Sequence, residues 1–198
     1  MKLFVRQAIG ILTILFLGAI QVVNAQAYPE KSIRLMVGYA PGGLTDGVAR
    51  TLAPQLSEIL GKQVVVENRG GAGSSIATDV VAKAPADGYT LLMADQALIS
   101  NPSLFAALPY DTFKDLQPVV LVGTAASVIV VNSSLPVRDL KGLIALAKSK
   151  PGALNYASGG NGTMTHLAGE LFKQVARVDI VHVPYKGTGP AVVDLLGG

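Results

Sequence analysis

The run Ile33 to Tyr39 (IRLMVGY) is short, apolar and β-prone, and it stops at Ala40-Pro41-Gly42-Gly43. Apolar residues then resume at helical spacing, at Val48, Ala49, Leu52, Ala53, Leu56, Ile59 and Leu60. The same order repeats at once. Gln63 to Asn68 (QVVVEN) reads as a strand, the following residues as a glycine loop, Ser74 to Ala84 (SSIATDVVAKA) as a helix, Pro85 to Gly88 as a turn and Tyr89 to Asp95 (YTLLMAD) as a third strand. Strand, helix, strand, helix, strand predicts an α/β fold with a parallel sheet and right-handed crossovers. Gly61 is expected to close the first helix, and Pro54 inside it predicts a kink or a broken hydrogen bond near residue 50.

The middle of the chain is less regular. Asn101 to Asp111 (NPSLFAALPYD) carries two prolines and reads as a loop with a short helix. Leu116 to Gly123 and Ser127 to Asn132 read as extended, Arg138 to Lys150 as a helix stopped by Pro151-Gly152. A composition shift at Val122 to Ala126 marks the expected domain crossing, giving domains at 28–124 and 125–198. The second half then repeats the layout of the first. Ala153 to Ser158 is a strand, Gly159 to Thr163 a glycine loop, Met164 to Ala176 a helix, Val178 to Val183 a strand, Pro184 to Pro190 another glycine loop and Ala191 to Gly198 a last helix. So few strands leave the second sheet unable to cover its helices, since parallel sheets want both faces buried, and a C-terminally truncated chain is expected.

Residues 1–27 read as a secretory signal peptide: Lys2 and Arg6 first, an apolar stretch from Ala8 to Ile20, then small residues that place cleavage after Ala25 or Ala27. An uncleaved anchor is the alternative, but a spanning helix needs about 20 apolar residues. The chain carries a formal charge of +3 with no cysteine. Two of those basic residues belong to the leader, so the remainder is nearly neutral and offers no electrostatic footprint for nucleic acid. A thiol-free chain suits an oxidising compartment.

Where a parallel strand runs into a helix, the first helical N–H groups lack partners inside the helix and point outward along a favourable dipole. Anions settle there. The glycine loops at the strand ends of both halves therefore predict a cleft lined with amide donors, suited to a small carboxylate. G-x-G-x-x-G, the Walker A pattern, G-x-S-x-G and H-E-x-x-H are all missing from the sequence, which removes the usual handles for nucleotide binding, acyl transfer and zinc hydrolysis.

Single residues leave alternatives open. Asp46 suits either a helix cap or an acceptor for a ligand's ammonium or hydroxyl. His166 and Glu170 share a helix face, but with no third ligand nearby a metal is not expected, and His166 is read as a first-turn donor facing the cleft. His182 reads as a core or rim histidine. Tyr185 and Lys186 suit carboxylate contact or plain solvent exposure, and Arg69 a surface turn or an anion clamp.

The stretches YPEKSIRLMVGYAPGGLTD, VVVENRGGAGSSIATDVVAKAPADGYTLL, LPYDTFKDLQPVVLV, KSKPGALNYASGGNGTMTHLAGELF and VDIVHVPYKGTGPAVVDLLGG together resemble the Bug family, the substrate-binding proteins of tripartite tricarboxylate transporters. The resemblance runs from Tyr28 to Gly198. It implies a periplasmic binding protein of Venus-flytrap type, with two parallel-sheet domains and a hinged cleft, that captures a di- or tricarboxylate or related organic acid and is not an enzyme. It implies neither cofactor nor metal, and as partners the permease subunits of the transporter or a sensor protein. The loops that would hold the ligand match Tyr39 to Asp46, Asn68 to Ser74, Ser158 to His166 and Pro184 to Gly187. The site residues carried over are Tyr39, Gly42, Gly43, Asp46, Gly71, Ala72, Gly73 and Ser74 from the first half, with Ser158, Asn161, Gly162, Thr163, His166, Tyr185 and Lys186 from the second. Gly70 stands where members commonly have proline, Ser74 where they often have glycine, and Pro54 is unusual in the first helix. A secreted α/β hydrolase using His166 or His182, and a nonfunctional fragment of the binding protein, are the alternatives.

Overall fold

Three short apolar runs become strands because each is rich in residues that suit a pleated, half-buried surface and because each finds a neighbour. In the computed structural model, which describes residues 28–198, β1 (Ile33–Val37) is the central strand, with β2 (Val64–Asn68) on one side and β3 (Thr90–Met93) on the other. Both pairings are parallel, with Ile33 opposite Val64 and Arg34 opposite Thr90 at their starts. The expected leader at 1–27, with both cleavage points, lies outside the described residues. All that follows concerns residues 31–198.

Alternation along β1 sends Ile33, Leu35 and Val37 to one face, where Ala49 and Ala53 of helix α1 (Leu44–Leu60) complete a buried cluster with Val64 and Met93. Burying each of the larger of these side chains contributes about 1.5–3 kcal/mol. Met36, wholly buried, points the other way. Helix α2 (Ser75–Ala82), with Ala77 and Thr78 buried, joins β2 to β3, and α3 (Ala97–Leu104) follows β3. Pro54 does not interrupt α1, which runs unbroken from Leu44 to Gly61, the left-handed cap. The packed face keeps the helix together although proline removes one hydrogen bond.

The second sheet has two parallel strands, β4 (Asn155–Ser158) and β5 (Val181–Pro184), in register from Asn155 opposite Val181. Helix α4 (Leu140–Ser149) precedes it, capped by Asp139, whose carboxylate accepts from Gly142 N–H at 2.7 Å. Helix α5 (Met164–Ala176) links the strands, and α6 (Thr188–Gly197) ends the chain. Ala147, Val178 and Ile180 form its small core.

The sequence reading is corrected at several points. Leu116 to Gly123 and Ser127 to Asn132 form no strand: Val119, Leu121 and Val128 are exposed and no described segment pairs with them. A strand exists only through its ladder, and apolar composition cannot supply one. Helix α3 starts at Ala97, earlier than the proline-marked loop suggested, because Asp95 accepts from Ala97 N–H at 3.0 Å and holds the first turn. Helix α6 begins at Thr188, so Gly189 and Pro190 are helical, the proline sitting in the first turn where no N–H partner is needed.

Gly38, directly after β1, faces Ser74: a Cβ on Gly38 would lie 1.8 Å from Ser74 Oγ and 2.8 Å from Ser74 Cα. Gly38→Ala is expected to destabilise the fold by roughly 2–3 kcal/mol through overpacking. Urea denaturation of the two proteins checks this, and an unchanged midpoint would refute the contact.

Candidate functional site

The loops at the carboxyl ends of the two sheets converge. Ala40 N–H, after β1, donates to Lys186 C=O, after β5, at 2.7 Å. A Cβ added at Gly73, after β2, would lie 2.6 Å from Asn161 C=O, after β4, so side chains are excluded where these backbones meet. Gly73 also takes φ +57°. Its neighbours Ala72 and Ser74 adopt φ 47° and 71°, left-handed values that cost a side-chain-bearing residue about 1 kcal/mol or more. Ser74 is 3% exposed, held in this conformation by its fit against Gly38.

Asp46 organises the first-sheet side. It is 3% exposed in the first turn of α1 and accepts from Gly42 N–H at 2.9 Å, from Arg50 Nε at 3.0 Å and from Asn68 Nδ2 at 2.8 Å. Burial alone would push its carboxyl up, but the hydrogen bonds from Arg50, Gly42 and Asn68 outweigh it and hold the group below the ordinary carboxylate value. Both carboxylate oxygens are engaged by the chain's own donors. Asn68 Nδ2 also donates to Tyr39 C=O at 3.0 Å, tying the end of β2 to the loop after β1. The Tyr39 hydroxyl donates to Asp95 Oδ1 at 3.0 Å; burial and then the Asp95 charge raise the phenol well above its usual value. Burial raises the Asp95 carboxyl as well, against the opposing bonds from Tyr39 and Ala97.

On the second-sheet side Ser158, 1% exposed, lies 2.6 Å from His182 Nε2 through its Oγ, and Gly160 N–H donates to that oxygen at 3.1 Å. Thr163 caps α5 and its hydroxyl donates to Gly160 C=O at 2.7 Å. His166 accepts Gly162 N–H at Nδ1 at 3.2 Å, which leaves Nε2 as the ring nitrogen that can donate. Its ring stacks on His182 with centroids 4.3 Å apart, and Tyr156 covers the opposite face of His182 at 4.8 Å. Burial first, then the His166 charge, lowers the His182 pKa. Glu170 is bound by the Tyr156 hydroxyl at 2.6 Å and Lys173 at 2.9 Å, and no described group of three residues could hold a metal. The Tyr185 hydroxyl is bound to Asp194, and Lys186 is exposed.

Many expected amide donors are therefore used internally: Gly42 by Asp46, Gly160 by Ser158, Gly162 by His166, and Thr163 by Gly160 C=O. Among the described residues the amides of Gly43, Gly71, Ala72 and Asn161 keep no acceptor, and they come from loops of both sheets. No sequence pattern singles out Arg50, Ser100 or Asn101, and Asn68 stands in the sequence reading only as the edge of a loop. Ser100 Oγ donates to Gly162 C=O at 2.8 Å and Asn101 Nδ2 to Gly73 C=O at 2.8 Å, so α3 touches the loops of both sheets. The one signal for this was the Asn101-Pro102 pair, which reads as loop chemistry. A separate groove lined by Pro102, Phe105, Leu108, Tyr110 and Phe113 contains none of the expected site residues.

With this geometry established, comparison with known proteins gives a consistent result. The model of the tripartite tricarboxylate transporter family receptor matches residues 48–198. Protein BugT of Bordetella pertussis (strain Tohama I) is 46% identical over 178 residues, covering 89% of this chain and 55% of the relative. A solved periplasmic transporter superposes with TM-score 0.85 at 47% identity, covering 87% of this chain and 58% of that one. Rpa4515 of R. palustris, solved with adipate, superposes with TM-score 0.83 at 37% identity, covering 85% and 56%. The chain spans about half the length of the curated relatives it matches.

Two pH windows follow. Asp46 is depressed below 3.8, so its contribution is present above that value and lost as pH falls through the lower native one. Asp46→Asn is expected to flatten the loss of stability below about pH 4, while lowering stability at pH 7. His182 is depressed below 6.5, so its contribution is full above that value and declines on acidification from there towards its native value. His182→Gln is expected to flatten the decline in this higher window alone. Urea midpoints across pH 3 to 8 for both variants separate the effects, and identical profiles would refute the assignments.

Proposed function

The chain belongs to the tripartite tricarboxylate transporter receptor family, and on that premise we propose that it serves as the ligand-capturing part of a periplasmic solute-binding protein for a small carboxylate. The observation that carries this reading is the set of unpaired amides at Gly43, Gly71, Ala72 and Asn161, gathered from loops of both sheets at helix amino ends. A carboxylate replaces its water with such donors at little reorganisation cost, because the loops are already fixed by Asp46, Asn68, Ser158 and Thr163. Charge-assisted bonds contribute about 2 kcal/mol each, so four reach the micromolar range before the cost of closure. The adipate held by Rpa4515 supports the ligand class.

In this reading the halves 28–124 and 125–198 move about the Val122 to Ala126 crossing, and the ligand favours the closed arrangement by touching both. The bond from Ala40 to Lys186 and the seam between Gly73 and Asn161 are contacts of that closed form. Residues 1–27 act as the export signal, and no described helix is long and apolar enough to cross a membrane. Delivery to permease subunits of a tripartite transporter, or to a sensor, completes the role. The family's members bind rather than transform their substrates, and this displaces the hydrolase alternative.

Calorimetry of the exported protein against mono-, di- and tricarboxylates, with a neutral sugar as control, tests the reading. Micromolar binding of at least one acid is expected, and Gly73→Val should weaken it more than tenfold by forcing a side chain into the seam. Binding of the sugar with no response to any acid would overturn the proposal.

A further inference from the structure

In the sequence only Asn161 precedes a glycine, and the pair lies in the loop between β4 and α5. An asparagine followed by a residue without a Cβ is the pairing that most readily closes on itself, because the next backbone nitrogen can reach the side-chain carbonyl carbon unobstructed. The fold adds a base. Gly162 N–H donates to His166 Nδ1 at 3.2 Å, so an imidazole lone pair sits on the proton that this nitrogen must lose to become a nucleophile. Asn161 is exposed and its side-chain amide has no hydrogen-bond partner among the described residues, which leaves it free to turn and gives water access.

The other described asparagines lack one or more of these features. Asn101 is fully buried and precedes proline, whose nitrogen carries no proton. Asn68 and Asn132 commit their amides to Asp46 at 2.8 Å and to Leu195 C=O at 2.6 Å, and each is followed by a residue with a side chain. Asn155 is paired opposite Val181 in β4, with Tyr156 next. Bare neighbour, free amide and positioned base come together at Asn161.

We propose that Asn161 is a site of self-modification, its side-chain amide being lost through attack by Gly162 nitrogen with His166 as the base. Gly162 nitrogen gives its proton to His166 Nδ1 and attacks Asn161 Cγ. The new N–Cγ bond forms, the Cγ–Nδ2 bond breaks, and Nδ2 leaves as ammonia with the proton that His166 had taken. Water then opens the cyclic imide at either carbonyl. Opening at Cγ gives aspartate; opening at the main-chain carbonyl gives isoaspartate and frees the α-carboxylate. Either product turns a neutral amide into a carboxylate in the loop that supplies the unpaired Asn161 N–H. Isoaspartate puts that charge where Asn161 C=O stood, 2.6 Å from where a Cβ would stand on Gly73. Repulsion between like charges then opposes capture of an anion; this consequence, unlike the modification itself, rests on the carboxylate reading.

Peptide mass spectrometry of the full chain, held for days at mildly alkaline pH, tests the chemistry. A gain of about one dalton is expected at Asn161, and it should be at least about tenfold faster than at Asn132, which precedes serine. His166→Phe, which keeps a ring without the acceptor, should slow it about tenfold or more. Should that variant fail to fold, the unaltered chain in urea replaces it: with the imidazole no longer held on Gly162 N–H, conversion should be slower than in the folded chain. Equal rates with and without His166, or folded and unfolded, overturn the inference, as does an intact Asn161 once Asn132 has reacted. Calorimetry of fresh and converted chain against organic acids reads the consequence, with affinity expected to fall about tenfold. A converted chain that binds as tightly as the fresh one refutes the effect on capture. A fresh chain that binds no acid removes the carboxylate reading and leaves the modification standing.

Discussion

Backbone meets backbone where the loops of the two sheets converge, at distances no side chain would permit, and the remainder of the site depends on that approach. A Cβ on Gly73 would stand 2.6 Å from Asn161 C=O, and one on Gly189 2.5 Å from Pro41 C=O. Glycine here costs conformational entropy in the unfolded chain, and what it returns is proximity between amides of different strands. Left-handed Ala72 and Ser74 belong to the same constraint, since a loop that must cross Gly38 and turn into α2 within a few residues has little freedom left.

Two buried carboxylates show how differently one residue type is used. Asp46 receives Arg50, Asn68 and Gly42, so its charge is stabilised and it acts as a staple for β1, α1 and β2. Asp95 has the neutral phenol of Tyr39 and one amide, and burial dominates. The charge of Asp46 is offset by Arg50, four residues further along α1. The second sheet uses aromatic stacking instead, with Tyr156, His182 and His166 in a pile that supports the loop from Ser158 to Thr163.

The helices and glycine loops were legible because they are local. Val48 to Leu60 repeats at helical spacing whatever surrounds it, and Thr163 or Asp139 caps its helix from within a few residues. Val119 to Val122 and Val128 to Val131 misled because their composition is that of strands, whereas pairing is a property of a partner. The glycine pattern marks loops that the structure brings together. It did not say which amides would be consumed at home, as Gly42 is by Asp46 and Gly162 by His166.

By itself, then, the amino-acid order determined an α/β chain with recurring strand-to-helix turns, because turn chemistry and hydrophobic period act over neighbouring residues. Tertiary structure decided which turns meet, which donors stay unpaired and that Asn101 reaches both sides of the seam. Those outcomes join residues 28 to 62 positions apart, Asn101 with Gly73 and Ser100 with Gly162, and no local pattern encodes a contact between segments that only packing brings together.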